Sequence, residues 1–186
     1  MAKARRAVRE LIIDSIRVGL RHYRRVVVLR EKEAERYLTI WVGADVADAI
    51  AFRLQDVSVP RPQSHDLMLS LVQELGGSVQ AVIVNDLKDD TFYATIQVQK
   101  DGQLLEIDSR PSDAIAIAVR ASVPIYAVDE VLERAGILLD EDGEEVAENE
   151  SAADQPPPVS TEELEKLSAF RDFVSGLDLD DLGGPA

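Results

Sequence analysis

The chain opens with three segments in which apolar and polar residues alternate, Leu11–Val18, Tyr23–Leu29 and Tyr37–Val42, all rich in β-branched side chains. Alternation with period two puts every second side chain on one face, so each segment predicts a strand with one buried side. A helix is expected from about Asp45 to Leu54, then a turn at Ser58-Val59-Pro60, then a helix opened by Ser64 and closed by Gly76-Gly77. Strands are expected again at Val79–Val84, Phe92–Gln99 and Leu104–Ile107. A helix from Pro111 to about Arg120, the turn Ser122-Val123-Pro124 and a shorter helix ending at Gly136 follow. Lys88-Asp89-Asp90 turns between the first two of these strands, and Asp101-Gly102 is a strong hairpin signal before the third. Trp41 and the Ala/Ile-rich helices are the expected core.

The two series repeat each other. Asp48-Ala49-Ile50-Ala51 returns as Asp113-Ala114-Ile115-Ala116, 65 positions later, and Ser58-Val59-Pro60 returns as Ser122-Val123-Pro124, 64 positions later. Shared order and nearly shared offset argue for an internally duplicated β-β-β-α-α unit, with repeat 1 over about 10–76 and repeat 2 over about 78–136. The fold class expected is α+β, with a mainly antiparallel sheet and helices on one face.

Composition places limits on this picture. The 186 residues weigh 20.5 kDa, enough for one domain of ordinary size and some extra chain. Cysteine is absent, which removes disulfides, zinc-thiolate sites and thiol nucleophiles. No apolar run approaches the roughly 18 residues of a membrane span, and the basic N-terminus lacks the apolar region of a secretory signal, so a soluble cytoplasmic protein with no membrane partner is expected. The formal net charge is −15, which on its face argues against a protein that binds nucleic acid. However, residues 137–186 hold 15 acids and 2 bases, a net of −13, leaving −2 for residues 1–136. Residues 1–36 alone carry 11 bases and 5 acids, a net of +6. The acidity belongs to the tail. Residues 138–160, rich in like charges and proline, read as a disordered linker. Residues 161–186 begin with a short amphipathic helix whose stripe is Leu164, Leu167, Phe170 and Val174, suited to docking on its own domain, on a sister subunit or on a partner.

The repeat also offers a control, since groups needed only for folding should occur in both copies. Asp48 and Asp113 occur in both and read first as helix-capping residues, three positions into their helices. Asp108, Ser109 and Arg110 have no chemical counterparts in the first copy, and Glu106 stands where that copy has Trp41. Glu106 and Asp108, two apart on one strand, share a face. Such a carboxylate pair beside an arginine and a helix N-terminus suits either a hard divalent cation such as Mg²⁺ or Mn²⁺, or acid–base chemistry. The alternative is that Arg110 pairs with Asp108 or Asp113 to pin the joint. Asp86, Asp89 and Asp90 form a second acidic group, open to reading as a solvated hairpin. His65 is one of two histidines, and histidine titrates near neutrality, so it is a candidate general base or an ordinary surface residue. Neither Ser109 nor Ser112 sits in a Gly-x-Ser-x-Gly elbow, and phosphate-binding Gly-x-Gly-x-x-Gly and Walker loops are absent.

Residues from about Leu11 to Gly136 resemble the bifunctional nuclease family, a small bacterial and plant domain credited with DNase and RNase activity. The resemblance rests on Ile107-Asp-Ser-Arg-Pro-Ser-Asp-Ala-Ile-Ala-Ile-Ala-Val-Arg120 with Val123-Pro-Ile-Tyr126, on Arg61-Pro62 with His65-Asp66, and on Val84-Asn85-Asp86. It implies an α+β domain that assembles into homo-oligomers and acts on DNA or RNA. On that expectation a divalent ion held by Glu106, Asp108 and Asp86 activates water, Arg110 holds the phosphate, and His65 relays a proton. Asp113 supports them, and Arg17, Arg21, Arg24 and Arg25 steer the nucleic-acid backbone. A non-catalytic oligomeric module binding a small anion is the other expectation.

Overall fold

A computed structural model describes residues 7–18 and 25–138. Two antiparallel meanders supply most of it. The first is β1 (Val8–Val18), β2 (Arg25–Glu31) and β3 (Tyr37–Val42), followed by helices α1 (Ala44–Leu54) and α2 (Ser64–Glu74). The second is β4 (Ser78–Lys88), β5 (Thr91–Lys100) and β6 (Gln103–Ser109), followed by helix α3 (Pro111–Ala121). Strand β7 (Ile125–Val128), helix α4 (Asp129–Ala135) and the two-residue strand β8 (Gly136–Ile137) complete it. The strand order is β6-β5-β4-β7-β1-β2-β3-β8, so β7 joins the meanders, parallel to β4 and antiparallel to β1. The fold is α+β with a mainly antiparallel sheet.

The tight turns follow their residues. Asp101 (φ 49°) and Gly102 (φ 77°) both take the left-handed conformation that lets a two-residue turn match the strand twist, and Asp89 (φ 46°) and Asp90 (φ 56°) do the same. The expected β-β-β-α-α order of the second half is corrected by β7, which intervenes between its helices. Ile125, Ala127 and Val128 are all buried, so this strand lacks the alternation that marks a half-exposed one.

Helix α3 is the hub. Eight of its 11 residues are buried, including Ile115, Ala116 and Ala118, as befits a helix whose middle, Ala114–Val119, is wholly apolar. It touches α1, α2, β3, β4 and β5. Because β3 and β4 lie four places apart in the strand order, the sheet must curl around it. Leu38, Ile40 and Val42 face this core from β3, and alternation turns Trp41 outward, where it is 43% exposed; Trp41 is not the core residue expected. Among the described residues no helix is long and apolar enough to cross a membrane. Tyr23, the linker beyond Leu138 and the amphipathic segment within 161–186 lie outside the described residues.

Candidate functional site

The site forms where the first turns of α2 and α3 meet. Arg110 is the extended residue before α3, and Pro111 takes the first helical position, where its missing N–H is not needed. Asp113, in the same turn, accepts a hydrogen bond from Arg110 Nε on Oδ2 (2.7 Å) and faces His65 Nε2 with Oδ1 (3.1 Å). Burial pushes the Asp113 carboxyl up, but the bonds from Arg110 and His65 outweigh it and hold the group below the ordinary aspartate value. The same pairing raises Arg110. His65 is buried, whereas the Arg110 side chain is 75% exposed, so its guanidinium reaches solvent while Nε is anchored. The second ring nitrogen of His65 has no hydrogen-bond partner among the described residues.

A second tie runs beside the first. Arg120, at the far end of α3 and only 4% exposed in its side chain, donates from Nε to Asp66 Oδ1 (2.6 Å). Its terminal nitrogens donate to Gln63 Oε1 and to the carbonyl oxygens of Ala116 and Ala49. Asp66 Oδ2 accepts the backbone N–H of Gln63 (2.8 Å), capping α2. Burial raises the Asp66 carboxyl, and the Gln63 and Arg120 bonds more than offset this, so it too is lowered. The adjacent residues His65 and Asp66 thus bind opposite ends of α3, and α1 joins through Ala49. Sequence reasoning passed over Arg120, Gln63 and this role of Asp66. The available signal was the single charge in the otherwise apolar run Ala114–Ala121, since a buried arginine needs partners.

The capping role expected of Asp48 and Asp113 is corrected. Asp48 is the fifth residue of α1 and ion-pairs with Arg25, which also donates to Ala44 O (2.9 Å). Both oxygens of Asp113 are taken by side chains rather than by the backbone of its own first turn. Each aspartate therefore holds an arginine, and Asp113 holds a histidine as well.

The remaining expected residues lie elsewhere. Asp108 is directly opposite Thr95, Glu106 opposite Gln97 and Asp86 opposite Tyr93. Directly paired residues share a face, and on β5 the other face, Ala94, Ile96 and Val98, is the buried one. These three carboxylates therefore stand on the side of the sheet away from α2 and α3. With strands about 4.8 Å apart and residues about 3.4 Å apart, the Asp86 and Asp108 backbones are separated by about 12 Å. Asp86 accepts its neighbour Leu87 N–H and pairs with Lys88. Among the described residues no three His, Asp or Glu side chains converge as a metal ion requires, so Asp86, Glu106 and Asp108 do not fit one Mg²⁺ or Mn²⁺. Arg17 is exposed on β1, and Arg25 is committed to α1. Arg21 and Arg24 lie outside the described residues.

The chain matches the bifunctional nuclease domain over residues 27–140. An uncharacterized protein of Mycobacterium tuberculosis is 39% identical over 166 residues, 89% of this chain and 94% of its own. Bifunctional nuclease 1 of Oryza sativa subsp. indica is 27% identical over 103 residues, 54% of this chain and 31% of the plant protein. Bifunctional nuclease 2 of Oryza sativa subsp. japonica is 32% identical over 103 residues, 53% of this chain and 32% of its own. By the extent of these matches the chain belongs to the bifunctional nuclease domain family.

Proposed function

We propose that the protein hydrolyses phosphodiester bonds of DNA and RNA at the joint between α2 and α3. The observation that carries this reading is the His65–Asp113–Arg110 constellation, an anchored histidine beside an arginine that reaches solvent. Family membership supplies the substrate class. With Nε2 held against Asp113, the second ring nitrogen of His65 takes the proton of a water that attacks phosphorus. Asp113 steadies the resulting imidazolium. Arg110 donates to the non-bridging oxygens as their charge grows, the bond from phosphorus to the leaving oxygen breaks, and that oxygen takes the proton back from the His65 imidazolium. We also read the two β-β-β-α stretches as copies of one unit. On this view the first keeps Asp48–Arg25 as a tie, and the second has turned the equivalent aspartate to chemistry.

A second reading draws on the burial of His65: the same joint binds a phosphate-like anion through Arg110 without hydrolysing it. Labelled single-stranded DNA and RNA, given to the purified chain with Mn²⁺ or with chelator, separate the two. Cleavage that falls about 100-fold or more in His65→Ala supports hydrolysis at this joint. Binding lost in Arg110→Ala with no cleavage by the wild type supports the anion module. Cleavage that survives His65→Ala and Arg110→Ala would sink the site. Asp108→Asn adds a further separation, since full activity keeps the reaction on the helix side of the sheet.

A further inference from the structure

On its first three strands, the face of the sheet turned away from the core carries two aromatic rings and two arginines. Trp41 is paired directly with Val26, and Val26 with Arg17, so these three stand in one row across β3, β2 and β1. Tyr37, Arg30 and Ile12 form a second row on the same face. Along β3 the two rings are four residues apart, about 14 Å. Trp41 is 43% exposed, Arg17 is exposed, and Arg30 and Tyr37 are half-buried. Neither row contains a carboxylate. At the rim, Glu35 accepts the Tyr37 hydroxyl (3.0 Å), and Asp14, in the bulge of β1, accepts the Ser15 hydroxyl (2.9 Å). Arg30 forms no salt bridge among the described residues, and its charge acts on Tyr37.

We propose that this face is a stacking platform for single-stranded nucleic acid, separate from the joint of α2 and α3. Bases stack on Trp41 and Tyr37, and the phosphates between them pass Arg30 and Arg17. The inference rests on the nuclease reading for the class of its occupant and adds a second surface to it. Aromatic rings set among cations match a strand in which flat bases alternate with negative charges. A duplex fits poorly, because its bases are stacked on each other and its grooves are read by a projecting helix or ribbon rather than a flat face. A protein partner gains little here. Val28, between the two rows, is 2% exposed, so the middle of the face offers almost no apolar surface to bury. Leu38, Ile40 and Val42 of β3 face the core on the opposite side, where α3 packs. The platform therefore holds the strand away from the bond that breaks, and its loss raises KM without lowering kcat.

Trp41 is the single tryptophan of the chain, so its fluorescence reports on this face directly. A thymidine oligomer of about 15 nucleotides, added to the full chain at low salt, should quench it saturably. By anisotropy of the labelled oligomer, Trp41→Ala and Arg30→Gln should each weaken binding about 5-fold or more, with an unchanged circular dichroism spectrum. Trp41→Phe, which keeps a ring, should keep most of the affinity. Should Trp41→Ala unfold, Arg17→Gln at an exposed position gives the same reading. Binding indifferent to the Trp41 and Arg30 substitutions overturns the proposal, as does equal quenching by the matching duplex. Quenching by poly-glutamate with none by the oligomer overturns it in favour of an acidic peptide. The joint is judged separately. Quenching by an oligomer that the wild type does not cleave keeps the platform and removes the hydrolysis. Cleavage with a KM unmoved by Trp41→Ala removes the platform and keeps the joint.

Discussion

The electrostatics of the joint rest on two aspartates and two arginines. Asp66 and Asp113 are both held below the ordinary carboxyl value, so the unfolded chain takes up their protons more readily than the folded one. The stability they contribute is present above a pH of about 4 and is lost as pH falls through their lower folded values. Urea midpoints at pH 7 and pH 3 should therefore separate further in the wild type than in Asp66→Asn. Equal separations would remove Asp66 from the account. Arg120 has the larger structural role, because its loss strands Asp66, Gln63 and two carbonyls at once. Arg120→Ala is expected to cost about 3 kcal/mol or more in chemical denaturation, and Arg120→Lys to recover only part of it. At this scale the sequence was uneven to read. His65, Arg110 and Asp113 were legible as chemistry-bearing types, and their meeting was not, since 48 positions separate His65 from Asp113. Asp108 was misleading because a neighbour in sequence on a strand can face the opposite side of the sheet.

Elements were legible wherever one face met water. The strands β3, β5 and β6 and the three long helices follow from alternation, turn residues and glycine stops, each a local property. The strand β7 was not, because a four-residue strand buried on both faces carries no periodic mark, and only its place between β4 and β1 defines it. Turn chemistry leaves its own opportunities. Asp90 pays the strain of φ 56° at a position where hairpins prefer glycine, so Asp90→Gly should stabilise the protein by about 0.5–1 kcal/mol, measurable as a raised denaturation midpoint. Gly136 is the opposite case. A Cβ there would collide with the Leu132 carbonyl oxygen and crowd the Arg36 side chain, where α4 passes into β8. Gly136→Ala should therefore lower stability by about 1–3 kcal/mol in the same assay, and an unchanged midpoint would mean the turn has room that the geometry denies.

At the scale of the whole molecule, net charge and fold speak to different questions. Thirteen of the fifteen net negative charges fall within residues 137–186, and the part that carries the sheet and the joint is almost neutral, with a basic first third. Polyanion binding is therefore open to the body of the protein, and competition by the acidic segment for the same basic residues is the expectation to test. Removing residues 139–186 should tighten single-stranded DNA binding several-fold at low salt, with the gain fading as salt rises; equal affinity at low salt would rule the competition out. The most direct test of the central claim is the cleavage rate of an end-labelled single-stranded RNA by the full chain, set beside Arg110→Ala prepared in parallel. The account predicts a wild-type rate that scales with protein concentration and falls about 100-fold or more in the variant. Equal rates in the two preparations would contradict it.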